Sequence, residues 1–228
     1  MLSLKLLILD NALNHQIYRP VEHWSKALGF VPDHIHVPSG TPLPPVGSHT
    51  HVILTGSEAS ILKRAGWAED ERYWVQEAIM QGVRILGSCW GHQLIAVAMG
   101  GPACVRHSLE PEYGWFRIEV IDQDGILPVG SIGSFAAHFD EVITGCHPDL
   151  RILARSPLCA VHALRWGDLP VWGIQAHPEI YPEAARELLM KASASLPEDQ
   201  AGIFQKALSM PVDDSNSISE IIKQFLKK

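Results

Sequence analysis

A chain of 228 residues, 46% hydrophobic and 19% charged, suits one large globular domain with ample apolar material for a core. The formal net charge is −7 and the basic residues are scattered rather than striped, which argues against nucleic acid as a partner. No apolar run approaches a membrane span, and the N-terminus lacks a signal peptide's apolar stretch and cleavage site, so a cytoplasmic protein is expected.

The first two-thirds of the chain alternates short apolar runs with helical spacing. Residues 4–9 read as a buried strand, followed by a turn at Asp10-Asn11 and a helix over residues 20–28. Pro20 suits a helix start, where its missing N–H would be unpaired anyway. A second strand is expected at residues 34–37. The next stretch, 38–47, holds four prolines and two glycines and reads as loop. Residues 51–54 form a third strand running into Thr55-Gly56-Ser57. Helical spacing resumes over 69–81, Gly82 stops it, and 83–86 is a fourth strand. Then come a sharp Gly87-Ser88-Cys89-Trp90-Gly91 and an apolar helix through Met99. This alternation predicts a doubly wound, flavodoxin-like α/β domain, its mostly parallel sheet covered by helices on both faces.

From Gly101 the pattern changes. Residues 116–121, 135–138, 152–154, 160–166 and 171–175 read as strands joined by turns, several of them antiparallel. Helical patterns follow at 182–195, 198–209 and 217–226, with a polar break over 211–216. No repeat or linker is visible. The expectation is one domain over residues 1–195 with an antiparallel extension of its sheet, and a C-terminal helical extension of the same domain over 196–228.

Gly87-x-Cys89-x-Gly91, between an apolar strand and an apolar helix, has the form of a nucleophile elbow. The glycines permit a tight turn that projects Cys89 at the carboxyl edge of the sheet. The helix N-terminus behind it favours thiolate over thiol and can hold a developing oxyanion. A buried cysteine in a tight turn is the plainer alternative, and the motif by itself suits more than one hydrolase family. Cys104, Cys146 and Cys159 lack such flanks and read as packing or surface residues.

A thiol nucleophile needs a proton acceptor, and the acceptor needs an orienting group. Of twelve histidines, His34, His36, His49 and His51 lie along or beside strands with no carboxylate or cysteine at ligand spacing, so no metal site is expected. His177 follows an apolar strand at its carboxyl end, where α/β active sites lie, and Glu179 is two residues on. In extended backbone i and i+2 share a side, so carboxylate and imidazole can be neighbours. A helix-capping turn before Pro182 is the competing reading of His177-Pro178-Glu179.

Together these residues resemble the class I, triad-type glutamine amidotransferases. Residues 87–93 match that family's Gly-x-Cys-x-Gly-His-Gln segment, and residues 173–179 its Gly-x-Gln-x-His-Pro-Glu segment, in the family's order. Weaker matches point to stand-alone domains similar to the amidotransferase part of GMP synthetase. Leu54-Thr55-Gly56-Ser57 stands at the family's oxyanion loop, Glu112-Tyr113-Gly114-Trp115 at its Glu-x-Gly-Trp segment, and Ala137-His138-Phe139-Asp140 at its Ser-His-x-Asp segment.

The resemblance implies a catalytic triad of Cys89, His177 and Glu179, with oxyanion-hole N–H groups from Gly56, Ser57 and Trp90. It also implies substrate contacts from Gln93, Ala137, His138 and Phe139. Ser57 and Ala137 depart from the glycine and serine common in relatives, and the segment after Leu196 matches nothing in the family. No metal or organic cofactor is implied. The substrate would be glutamine or a γ-glutamyl small molecule. The chain carries no phosphate-binding loop, so any use of ammonia would fall to a synthetase partner chain. Three readings stay open: a glutaminase serving such a partner, a free-standing γ-glutamyl hydrolase, and a non-catalytic module on the same fold. A peptidase- or chaperone-like cysteine hydrolase would share the elbow but not the late His-Pro-Glu. Oligomeric state is not legible.

Overall fold

Short apolar strands that alternate sides let one sheet bury both its faces. In the computed structural model, which describes residues 4–64, 66–122, 124–194 and 198–227, five strands run parallel. They are β1 (Leu6–Asp10), β2 (Asp33–His36), β3 (His51–Leu54), β4 (Arg84–Ser88) and β9 (Val171–Ile174), side by side in the order β2-β1-β3-β4-β9. Leu7, Leu9, Val52, Leu54 and Ile85 face one core, with α2 (Gly66–Met80) and α3 (Trp90–Gly100). Leu6, Ile8, Ile53 and Leu86 face the other, with α1 (Pro20–Leu28) and α6 (Ile218–Phe225). This is the doubly wound α/β arrangement expected.

Beyond β9 the sheet continues antiparallel through β8 (Ala163–Trp166), β7 (Leu150–Arg155), β5 (Val105–Val120) and β6 (Ser131–Val142). The β5–β6 ribbon is much longer than the strands expected at 116–121 and 135–138. Its first half is exposed and polar, so no apolar run announces it. Its register shifts between His107 and Glu112, around Pro111, which has no N–H for the ladder. Other boundaries differ by a few residues. Val37 belongs to a 3-10 turn rather than to β2, β8 starts at Ala163 rather than 160, and α2 opens at Gly66 rather than 69.

The last helices are α4 (Pro182–Ala194), α5 (Glu198–Ser209) and α6. Residue 195 and the expected junction at 195/196 lie outside the described residues. α5 packs on α4 and β5, whereas α6 crosses to the α1 face. Gly114 of β5 lies under α5 at a φ of +119°, and a Cβ there would meet Met210 Sδ at 2.6 Å. Among the described residues no helix is long and apolar enough to cross a membrane.

Candidate active site

Cys89 sits between β4 and the first turn of α3 with φ +49°, a left-handed conformation that L residues hold only when their surroundings impose it. Three contacts impose it. The Cys89 N–H donates to Ile174 O at 2.8 Å, the Gly91 N–H donates to Thr55 O at 3.2 Å, and Cys89 O accepts the Gln93 N–H at 3.1 Å. The flanking glycines serve close packing rather than an unusual φ. A Cβ on Gly87 would lie 2.4 Å from Gly91 C, and one on Gly91 would lie 2.4 Å from Leu54 O. The strain resides on the cysteine itself.

The two motif segments interlock. A Cβ on Gly173 would fall 2.6 Å from His92 Nδ1, and Gln93 Nε2 donates to Gln175 Oε1 at 3.2 Å and to Asp140 O at 2.7 Å. Burial holds His92 neutral, its pKa lowered to about 3, with His162 adding to the shift. The loop after β9 then carries His177 to Cys89. The His177 N–H donates to Phe135 O at 2.8 Å, and its ring Nδ1 faces Glu179 Oε1 at 2.8 Å. Electrostatic attraction couples its ring to Cys89 as well. Gly56 lies beneath this ring, for a Cβ there would sit 2.5 Å from His177 Cε1.

Burial works against a charge on His177. The sulfur of Cys89 and the carboxylate of Glu179 outweigh it and raise the imidazole pKa well above its ordinary value. Burial likewise opposes ionisation of Glu179, yet His177, its own backbone N–H and Tyr18 hold its carboxyl below the usual range. Tyr18 donates its hydroxyl to Glu179 Oε1 at 2.8 Å and sets its ring edge-on to His177 at 5.5 Å. Ser88 Oγ reaches the same oxygen at 3.4 Å. Tyr18 is not among the residues that the sequence singles out: it lies in an irregular turn before Pro20, where no periodicity points to it.

These groups open on a cavity of about 570 Å³. Cys89, His177, Tyr18, Gln93 and Ser57 line it, and Phe139 stands half exposed at it. The Cys89 thiol donates to Ala137 O at 3.6 Å. Trp90 turns its ring away, against Trp67 at 5.3 Å, while its N–H stands at the first position of α3, where no intrahelical acceptor exists. His138 borders the cavity, but its ring is buried and committed elsewhere. Its Nδ1 faces Asp140 O at 3.0 Å and its Nε2 faces Glu112 Oε2 at 2.9 Å. A contact between this ring and a substrate is therefore not what the geometry offers.

Glu112, His138 and His162 form the one group of three potential metal donors found among the described residues. His162 Nε2 also faces Glu112 Oε2, at 3.0 Å. Burial opposes charge on Glu112, but hydrogen bonds from both histidines and Ser156 hold its carboxyl far below the usual range. Separations of 2.9 and 3.0 Å suit shared protons. A tetrahedral ion with bonds of ~2.0–2.1 Å would need its donors spread to about 3.3 Å.

A family model, "Glutamine amidotransferase class-I", matches residues 44–194. The chain belongs to the class I glutamine amidotransferase family. It is 31% identical over 169 residues to a glutamine-hydrolysing GMP synthase subunit of Saccharolobus solfataricus, covering 73% of this chain and 84% of that one. Against the corresponding subunit of Methanosarcina mazei the identity is 34% over 198 residues, 83% of this chain and 95% of the relative. A glutamine amidotransferase structure from Thermotoga maritima superposes with a TM-score of 0.74 at 14% identity, over 99% of both chains. This structural likeness shows the amidotransferase fold over nearly the whole chain, past the point where the family's sequence match ends.

Proposed function

We propose that this chain hydrolyses the γ-amide of glutamine or of a γ-glutamyl compound through a γ-glutamyl thioester on Cys89. The observation that carries this reading is that Cys89 and His177, electrostatically coupled, line one cavity of about 570 Å³ while His177 Nδ1 stands 2.8 Å from Glu179 Oε1. Cys89 Sγ attacks the carboxamide carbon while the N–H groups of Trp90 and of Gly56 or Ser57 receive the oxyanion. The His177 imidazolium gives its proton to the leaving amine, then takes one from the water that cleaves the thioester. Glu179 keeps Nδ1 protonated and the ring in place, with Tyr18 fixing the carboxylate. Gln93, Ala137 and Phe139 border the substrate; Ala137 does so through its carbonyl. The proposed steps use side chains and backbone of this chain alone.

The test is Cys89→Ala against the wild type, with glutamate release as the assay and intact mass as the probe of labelling by a glutamine-like diazo-ketone. Loss of both turnover and adduct in the variant is expected; surviving turnover would refute the assignment. The relatives' designation as one subunit of a glutamine-hydrolysing synthase supports a second reading, in which the ammonia passes to a partner chain. In that case glutamine hydrolysis rises when a synthetase chain is added and is slow without it.

A further inference from the structure

Glutamine needs little of this cavity. Its 570 Å³ falls within the ~300–1,000 Å³ typical of clefts for drug-sized ligands, and its walls are mostly apolar away from the thiol. Its polar lining includes Glu58, Ser60, His107 and Asp140, with His107 Nδ1 2.7 Å from Asp140 Oδ1. The remaining wall is made by Ile17, Tyr113, Phe139, Leu188 and Phe204. Tyr113 touches Phe139 at 4.9 Å between ring centroids and Phe204 at 4.7 Å, so three rings make a continuous surface from β6 to α5. Phe139 stays 51% exposed beside the cavity. Phe204 comes from α5, beyond residue 194, where the family's sequence match stops.

Once the γ-glutamyl part is held with its carboxamide carbon at Cys89, a substituent on the amide nitrogen must occupy space that ammonia leaves empty. We propose that the aromatic wall of Tyr113, Phe139 and Phe204 is a subsite for the amine side of the substrate. The preferred substrate is then a γ-glutamyl amide of an apolar primary amine rather than glutamine. This rests on the thioester reading above. In the first step the bond from Sγ to the γ-carbon forms and the C–N bond breaks, the amine leaving as R–NH2 with the proton from His177. In the second, water adds to the same carbon, the S–C bond breaks, glutamate leaves, and the water proton returns to His177.

The test uses the full chain with glutamine, γ-glutamyl methylamide and γ-glutamyl phenethylamide, and measures glutamate release. The expected result is a kcat/KM for the phenethylamide ~10- to 100-fold above that for the methylamide, the scale on which apolar subsites discriminate. Phe204→Ala and Phe139→Ala are each expected to reduce that ratio about tenfold. A ratio is insensitive to partial misfolding, and Phe139, being half exposed, keeps the test valid should Phe204→Ala fold poorly. A wild type that treats all three alike, or a ratio unmoved in both variants, overturns the subsite. If the diazo-ketone labels Cys89 and glutamine is hydrolysed without preference, only the subsite falls. If Cys89 takes no label and no amide is turned over, the thioester reading falls and the subsite with it.

Discussion

Glu179 shows how a buried carboxylate is kept charged beside an imidazole. All three side-chain donors converge on one oxygen: His177 and Tyr18 at 2.8 Å, Ser88 at 3.4 Å. The tyrosine is therefore a positioning residue. Its loss removes a hydrogen bond to a charged group, worth ~1.5–3 kcal/mol, without touching the reacting atoms. For Tyr18→Phe we expect kcat to fall about tenfold or more with KM nearly unchanged. Because the Tyr18 bond lowers the Glu179 pKa, the acid limb of the pH–rate profile should also move to higher pH. A drop in thermal stability with an unmoved profile would make Tyr18 packing only. Cys89 and His177 could be placed at one sheet edge from sequence because each ends an apolar strand within a dense motif. Tyr18 sits in a turn whose only cue is the following proline. His138 was expected beside the substrate and does line the cavity, but the carboxylate its ring faces, Glu112, lies 26 residues away and is brought close by the β5–β6 register.

Elements meet through residues whose size or charge leaves little slack. Gly173 of β9 lets α3 approach: a Cβ there would clash with His92 Nδ1 at 2.6 Å and crowd its Cα at 3.1 Å. Gly173→Ala should push the start of α3 off the sheet, costing ~1–3 kcal/mol as overpacking does. Glutaminase activity should fall further than stability, since Cys89 and Gln93 ride on that turn; calorimetry and kinetics together would show it. Helix α2 carries a second such residue. Glu71 is fully buried, and burial raises its pKa to about 8 although Asn11 donates to it at 3.1 Å. The folded chain thus holds a proton that the unfolded chain releases near pH 4.5, so its contribution to stability is full below that pH and is lost as pH rises through 8. Glu71→Gln keeps the bond from Asn11 and cannot ionise. Its stability should decline less from pH 6 to 9 than the wild type's, leaving a gap of a few kcal/mol at pH 9. An equal decline in both would exclude Glu71 as the titrating group. The parallel strands were legible because their runs are apolar on both faces. The β5–β6 ribbon was not, because its polar, solvent-facing half gives the periodicity nothing to register.

For the whole molecule, the question is whether the last thirty residues fold with the rest. Their helical spacing was legible, but not their destinations, which depend on distant partners. α5 closes the apolar wall of the cavity through Phe204. The polar stretch after it is bound to β6: the Gly133 N–H donates to Ser215 Oγ at 2.8 Å, and the Ser215 N–H donates to Gly133 O at 3.0 Å. A Cβ on Gly133 would lie 2.2 Å from Asp213 O, so strand and tail touch backbone to backbone. α6 then buries Ile218, Ile221, Ile222 and Phe225 in the core shared with β1, β3, β4 and Trp24. Its C-terminal carbonyls are capped by Arg84, whose Nε donates to Phe225 O at 3.0 Å. A segment held by the main core cannot melt by itself without exposing that core. We propose that it belongs to the same cooperative unit. Phe225→Ala should cost ~3–5 kcal/mol, the range for emptying a buried aromatic position. Urea unfolding of both proteins, followed by tryptophan fluorescence and far-UV circular dichroism, should give coincident single transitions. An early circular-dichroism phase shifted by the mutation, with the fluorescence transition unshifted, would instead make the tail an independent appendage. The wall at Phe204 would then lose its fixed support.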